Sequence, residues 1–305
     1  MNLPSRPKIG ITGASGFVGS AVVQALNEAG YACIAFSRNP HRAVKGCEET
    51  RKFMPGELPN VDGLEAVVHL AGESIFGLPT AEKLRRIMES RREGTRSLVD
   101  ALLAAGRNGP KCLVSASAIG FYGSRGEEPV DENTPAGKGF LSEVSQVWET
   151  EAIRAASGGV RVVILRFGVV LGETGGMMQK LRPLFRLGLG AALGTGRQWV
   201  SWVDVRDVAR LTLFAIENPQ VRGVLNACSP VPLRNSDFTW ALARRFHRRA
   251  VLTAPAWVIR TIFGPLSGAF LDSQRVLPHR AEALGFRFEH RGVWEPENPR
   301  DKASP

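Results

Sequence analysis

Three glycines, Gly13, Gly16 and Gly19, mark the junction between the β-branched run Ile9 to Thr12 and an amphipathic segment, Phe17 to Ala29, near the start of this chain. At that spacing a strand hands over to a helix across a turn with little room for side chains. Gly13 permits the tight turn, Gly16 lets the backbone approach a pyrophosphate without a Cβ clash, and Gly19 lets the helix pack closely on the strand. The helix N-terminus then offers unpaired N–H groups and a positive dipole end to the phosphates. A second apolar run, Ala32 to Phe36, completes a βαβ unit. Gly-x-x-Gly-x-x-Gly is not the general Gly-x-Gly-x-x-Gly fingerprint, and three glycines alone can mark only a turn. Their position between the first strand and the first helix is what points to a dinucleotide.

Strand and helix signals keep alternating, which predicts an α/β fold with a Rossmann-type doubly wound parallel sheet. Ala66 to Leu70 reads as a buried strand closed by Ala71-Gly72, Ala81 to Ala105 as a long helix ending at Gly106, and Cys112 to Ser115 as a strand. Phe140 to Ala156 reads as a helix and Val160 to Phe167 as a strand. The polar stretch 123–139 is expected to be a loop near the carboxyl ends of the strands, where open α/β sheets bind ligands. From Gly168 the sequence turns glycine- and arginine-rich. The expected organisation is a nucleotide-binding domain over 1–168, rejoined by 200–228, a smaller substrate-covering region over 169–295, and a flexible tail over 296–305.

At 305 residues with 44% hydrophobic and 22% charged side chains, the chain has the composition of an ordinary globular protein. Residues Ile9 to Asn27 carry no charge, but four glycines and several polar residues interrupt them, so they read as buried strand, turn and helix rather than a membrane span. A cytoplasmic protein is expected, or one in an organelle interior. The 4 cysteines form no Cys-x-x-Cys pair, so neither zinc nor a redox couple is indicated, and His279 and His290 have no metal-ligand spacing. The net charge of +10 peaks at Arg244 to Arg249, with no nucleic-acid module around it. An anionic cofactor and an anionic small-molecule substrate account for part of the excess, and no nucleic acid or membrane partner is expected; a homo-oligomer is compatible with the sequence.

The end of the second strand selects between dinucleotides: an acid there binds ribose hydroxyls, whereas a base accommodates the 2′-phosphate. Ser37-Arg38 holds that place, with no acid until Glu48. NADP is therefore expected over NAD.

With these pieces the chain resembles the extended short-chain dehydrogenase/reductase superfamily. The resemblance rests on Thr12 to Gly19, His69-Leu70-Ala71-Gly72, Phe121-Tyr122-Gly123, Leu165-Arg166-Phe167-Gly168 and Trp202 to Val208. It is most similar to the atypical members called epimerase family proteins, whose carboxyl-terminal segment has no known function. Leu70 to Glu73, Ser90-Arg91, Ser115 to Ala118, Trp148-Glu149, Gly188-Leu189-Gly190 and Pro278 to Phe288 carry this likeness. It implies cofactor contacts at Thr12, Gly13, Ser15, Gly16, Phe17, Val18, Gly19, Ser37, Arg38, Leu70, Ala71, Gly72, Glu73, Ser115, Arg166, Phe167 and Gly168.

That superfamily moves its proton with a Tyr-x-x-x-Lys pair. Here the 2 tyrosines, Tyr31 and Tyr122, have Ala35 and Gly126 four residues on, and the usual positions of the pair align with Leu141 and Ser145. Arg91 falls where many relatives have a helix asparagine, and Ala118 falls at the catalytic serine. The candidate catalytic residues are Tyr122 and Ser117. For Tyr122 the competing reading is a packed corner residue with its hydroxyl hydrogen-bonded. For His69 a core residue is favoured over a general base, and Glu73 and Arg91 are either ligand contacts or structural ion-pair residues. Two functions follow: an NADP-dependent oxidoreductase or epimerase acting on a nucleoside-diphosphate sugar or a small carbonyl or alcohol, or a non-catalytic NADP-binding protein that senses redox state.

Overall fold

A computed structural model of the chain describes residues 6–173 and 175–293. Its centre is a seven-stranded sheet whose neighbouring strands all run parallel. In chain order the first five strands are β1 (Lys8–Thr12), β2 (Ala32–Ser37), β3 (Glu49–Lys52), β4 (Ala66–His69) and β5 (Cys112–Ala118). Across the sheet the order is Gly223–Ala227, Arg161–Phe167, β5, β4, β1, β2, β3. The connections reverse direction between β1 and β4, which is the switch point where such sheets bind nucleotides. Strand β3, with the polar sequence Glu-Thr-Arg-Lys, was not expected; it is an exposed edge paired with β2. The expected flexible tail over 296–305 lies outside the described residues.

Alternating side chains of the strands bury against two helical layers. Ile9, Ile11, Cys33, Ala35, Val68, Val114 and Val163 pack on α1 (Phe17–Glu28) and α5 (Val205–Glu217). Ile34, Phe36, Val67, Leu113 and Ile164 pack on α2 (Ala81–Ala105) and α3 (Phe140–Ile153). The chain reads locally as it folds: Thr80 caps α2 by accepting the Lys83 N–H at 3.1 Å, and Asp204 caps α5 by accepting the Arg206 N–H at 2.8 Å.

Beyond Gly168, where the sequence turns glycine- and arginine-rich, three helices of eight or more residues form besides α5: α4 (Gly176–Arg186), α6 (Asn235–Arg245) and α7 (Ala256–Phe263). The carboxyl-terminal stretch does not stand apart. Phe286 and Phe288 join the core beneath the sheet, and Asp207 of α5 accepts the backbone N–H groups of Glu289 and His290 at 3.2 and 2.9 Å. That stretch is thereby held against the nucleotide-binding half.

Candidate functional site

The glycine turn is closed by backbone geometry that side chains would break. Gly13 has φ +71°, and a Cβ on it would lie 3.1 Å from the Leu70 carbonyl carbon. A Cβ on Gly19 would stand 2.1 Å from the Gly13 carbonyl oxygen. Helix α1 begins after Gly16 with no side-chain cap on its first amides. Ser15 and Gly16 are exposed beside it. This bare N-terminus at the switch point fits a dinucleotide's phosphates. At the end of β2, Arg38 is exposed and the Ser37 Oγ accepts the Asn39 N–H at 3.2 Å.

Thr12 clamps the turn from beneath. Its buried Oγ1 accepts the N–H groups of Leu70 and Ala71, both at 3.0 Å, and lies 2.8 Å from Nδ1 of His69. With both lone pairs engaged, the Thr12 hydroxyl donates to Nδ1, which leaves the proton of His69 on Nε2, 3.0 Å from Thr95 Oγ1. Burial, helped by the charge of Arg91, lowers the His69 pKa to about 4. His69 is thus a neutral core histidine, as the sequence favoured. The next loop is tied to α2: Lys83 Nζ lies 2.6 Å from a Glu73 carboxylate oxygen, and Arg91 donates to the Glu73 and Ile87 carbonyls. Hydrogen bonding to Lys83 holds the Glu73 carboxyl below its ordinary value.

A cavity of ≈ 310 Å³ runs from the first residue of α1 across the strand ends to the carboxyl-terminal stretch. Phe17 and Arg91 line one part; Ala118, Phe167 and Gly168 line the floor; Gly268 to Phe270, Asp272 and Gln274 close it. Leu141 and Ser145, at the positions of the missing Tyr-x-x-x-Lys pair, also face it. Arg91 is the single cation among the described lining residues, and its Nη1 donates to the Glu73 and Ile87 carbonyls. Trp148 lines the wall, and its indole N–H has no acceptor among the described residues.

Tyr122 and Ser117 are absent from that wall; both lie behind it in a buried polar chain. The Ser117 hydroxyl donates to Glu149 Oε1 at 2.6 Å, and Glu149 takes Arg166 Nε and Nη2 at 2.8 and 2.7 Å. Arg166 Nη1 donates to the Tyr122 hydroxyl at 2.8 Å, which donates to Asn226 Oδ1 at 2.7 Å. Burial pushes the Tyr122 pKa up to about 12 despite Arg166. The hydroxyls of both expected catalytic residues therefore serve the scaffold, and so does Arg166, whose guanidinium also stacks on Phe121 at 3.4 Å. Ser115 is buried in β5.

Sequence reading missed Asp272. It lines the cavity, and burial raises its pKa above the ordinary carboxylate value. Gln274 beside it is pinned by donating to the Ile119 and Gly123 carbonyls, both at 3.0 Å. Nothing in their local sequence marks either residue. Met177 lines the cavity, whereas Met178 and Trp202 are core.

The parallel sheet with its order reversed at the phosphate turn, and a cavity at the strand ends, define a nucleotide-binding protein of the short-chain dehydrogenase/reductase type. The chain belongs to the NAD dependent epimerase/dehydratase family, whose model matches residues 9–228; a domain of unknown function, DUF1731, matches 254–293. It is 37% identical over 294 residues to the epimerase family protein Mb2239 of Mycobacterium bovis, covering 94% of this chain and 95% of that one. It is 36% identical over 298 residues to the chloroplastic SDR39U1 homolog of Arabidopsis thaliana, covering 95% and 85%. Among solved structures, the human epimerase family protein SDR39U1 with NADPH superposes with a TM-score of 0.82 at 28% identity, covering 93% of this chain and 96% of that one. No described helix is long and apolar enough to cross a membrane.

Proposed function

We propose that this protein is an NADPH-dependent oxidoreductase that acts on a carbonyl or alcohol carbon held in the 310 Å³ cavity. The observation that carries the reading is the cavity's place at the start of α1 and the strand ends: Phe17, the first residue of α1, and the strand-end residues Ala118 and Phe167 share its wall. NADPH, when bound, supplies the hydride that the carbonyl carbon receives. The first amides of α1 would hold the pyrophosphate, and Ser37 and Arg38 the 2′-phosphate. The exposed Arg38 and the NADPH held by human SDR39U1 both support NADP over NAD.

Leu141 and Ser145 leave the usual tyrosine and lysine functions vacant, and Ser145 Oγ donates back to the Leu141 carbonyl at 2.9 Å. Asp272 takes the proton-transfer role in this proposal. Its raised pKa moves it toward the range where a carboxyl holds a proton for the carbonyl oxygen and retrieves it from an alcohol. The apolar walls contributed by Phe17, Ile75, Trp148 and Phe167 exclude water from the reacting carbon.

The test is NADPH oxidation against a panel of aldehydes, ketones and nucleoside-diphosphate sugars, for the wild type and Asp272→Asn. The expected result is turnover that Asp272→Asn lowers about 10²-fold or more with NADPH affinity unchanged. Tight NADPH binding with no turnover on any panel member would instead favour the redox-sensing reading, which the missing pair supports. Full activity in Asp272→Asn removes the role given to that carboxyl.

A further inference from the structure

A second cavity of ≈ 280 Å³ adjoins the first. Val169, Met177, Ala269 and Phe270 line both, so the two spaces share one wall. Helices α4, α6 and α7 enclose it, together with the short paired strands Ala191–Leu193 and Leu252–Ala254. No charged side chain stands among its described lining residues, and its polar ones are Asn235 and Thr239. Asn235 Oδ1 already accepts the Leu193 N–H at 2.7 Å. Leu184 and Leu189 line it and are 45% and 51% exposed, which puts large apolar side chains at its solvent edge.

We propose that this second cavity binds the aliphatic tail of the substrate, whose carbonyl or carbinol carbon lies in the first cavity. The substrate class is then a hydrophobic aldehyde, ketone or alcohol, not a nucleoside-diphosphate sugar. This rests on the oxidoreductase reading above and narrows it. A diphosphate brings charge that must be met by cations or free amide donors, since burying it unpaired is very costly. The second cavity has no cation among its described lining residues, and Arg91 is the single one in the first. An apolar tail needs no polar partner there. An unfilled apolar void loses packing in proportion to its volume, and a tail that fills it restores those contacts.

The experiment separates tail binding from chemistry. The fluorescent fatty acid analogue 11-(dansylamino)undecanoic acid is titrated into the NADPH-loaded protein, then displaced by straight-chain alcohols from hexan-1-ol to decan-1-ol. Saturable, blue-shifted emission is expected, with displacement affinity rising roughly fourfold per added methylene. Ala254→Trp, which fills only the second cavity, should weaken the analogue at least tenfold with NADPH affinity held within twofold. Leu193→Phe serves the same purpose if Ala254→Trp does not bind NADPH. Absence of saturable emission, a flat alcohol series, unchanged binding in the filled variants, or displacement by UDP-glucose overturns the tail site. Tail binding without oxidation of NADPH by decanal leaves this site standing and removes the oxidoreductase reading; oxidation confined to short or sugar substrates without tail binding does the reverse.

Discussion

Arg166 and Glu149 meet in a bidentate ion pair, 2.8 Å from Nε to Oε1 and 2.7 Å from Nη2 to Oε2, with each residue one position from a cavity-lining aromatic, Phe167 and Trp148. Both are almost fully buried. Deleting one partner leaves the other charge uncompensated, so Glu149→Ala should destabilise the fold by about 3–5 kcal/mol. Ser117→Ala, which removes only a hydrogen bond to the same carboxylate, should cost about 1.5–3 kcal/mol. Urea unfolding of the two variants checks both values, and equal small losses would contradict the pairing.

Tyr122→Phe tests whether that hydroxyl serves structure. It leaves Asn226 Oδ1 without its donor and Arg166 Nη1 without its acceptor, so a loss of about 1–3 kcal/mol is expected with turnover unchanged. The raised pKa gives a pH signature as well. Because the folded value of about 12 lies above the ordinary tyrosine value of 10.0, the contribution is fully present below pH 10 and is lost as pH rises toward 12. Alkaline unfolding of the wild type should show this component, and Tyr122→Phe should lack it.

His69 gives the opposite signature. Its folded pKa of about 4 lies below the ordinary histidine value of 6.5, so in that interval the unfolded chain binds the proton and the folded chain does not. Stability is therefore complete above pH 6.5 and falls as pH drops toward 4, by on the order of 3 kcal/mol. Unfolding free energies across that range, compared with His69→Gln, should show the slope only in the wild type.

Gly19→Ala should abolish NADPH binding or unfold the turn, because its Cβ would stand 2.1 Å from the Gly13 carbonyl oxygen, which is backbone and has little room to move. Gly13→Ala carries a different penalty, about 1–2 kcal/mol for a side chain at φ +71° plus a tight approach to Leu70. Titration with NADPH beside a thermal melt separates loss of binding from loss of fold.

Much of the sheet was legible because its inner strands alternate apolar side chains between two layers, as Ile9, Ile11 and Val68 do toward α1 and Ile34 and Val67 toward α2. Strand β3 was not, since Glu49-Thr50-Arg51-Lys52 has no apolar period and owes its pairing to β2 alone. Helix α4, which contains Pro183 and starts between glycines, was not expected either. The site divided similarly. Leu141 and Ser145 could be named from the missing pair, but Gln274 reaches Ile119 across 155 residues, and no local pattern announces that a carboxylate two positions before it will close the same cavity. Tyr122 and Ser117 looked reactive because of where they sit along the chain, and it is the buried Arg166–Glu149 pair that draws their hydroxyls inward.

The central claim is a dinucleotide site built from the glycine turn and Arg38, and parallel titration of NADPH and NADH tests it most directly, read by quenching of the cavity-lining Trp148. NADPH should bind more tightly than NADH. Arg38→Ala should erase most of that difference, weakening NADPH by about tenfold or more and leaving NADH nearly unchanged, as expected for loss of charge-assisted hydrogen bonds to one phosphate. Equal affinity for both dinucleotides, unaffected by Arg38→Ala, or no saturable binding of either, would contradict it.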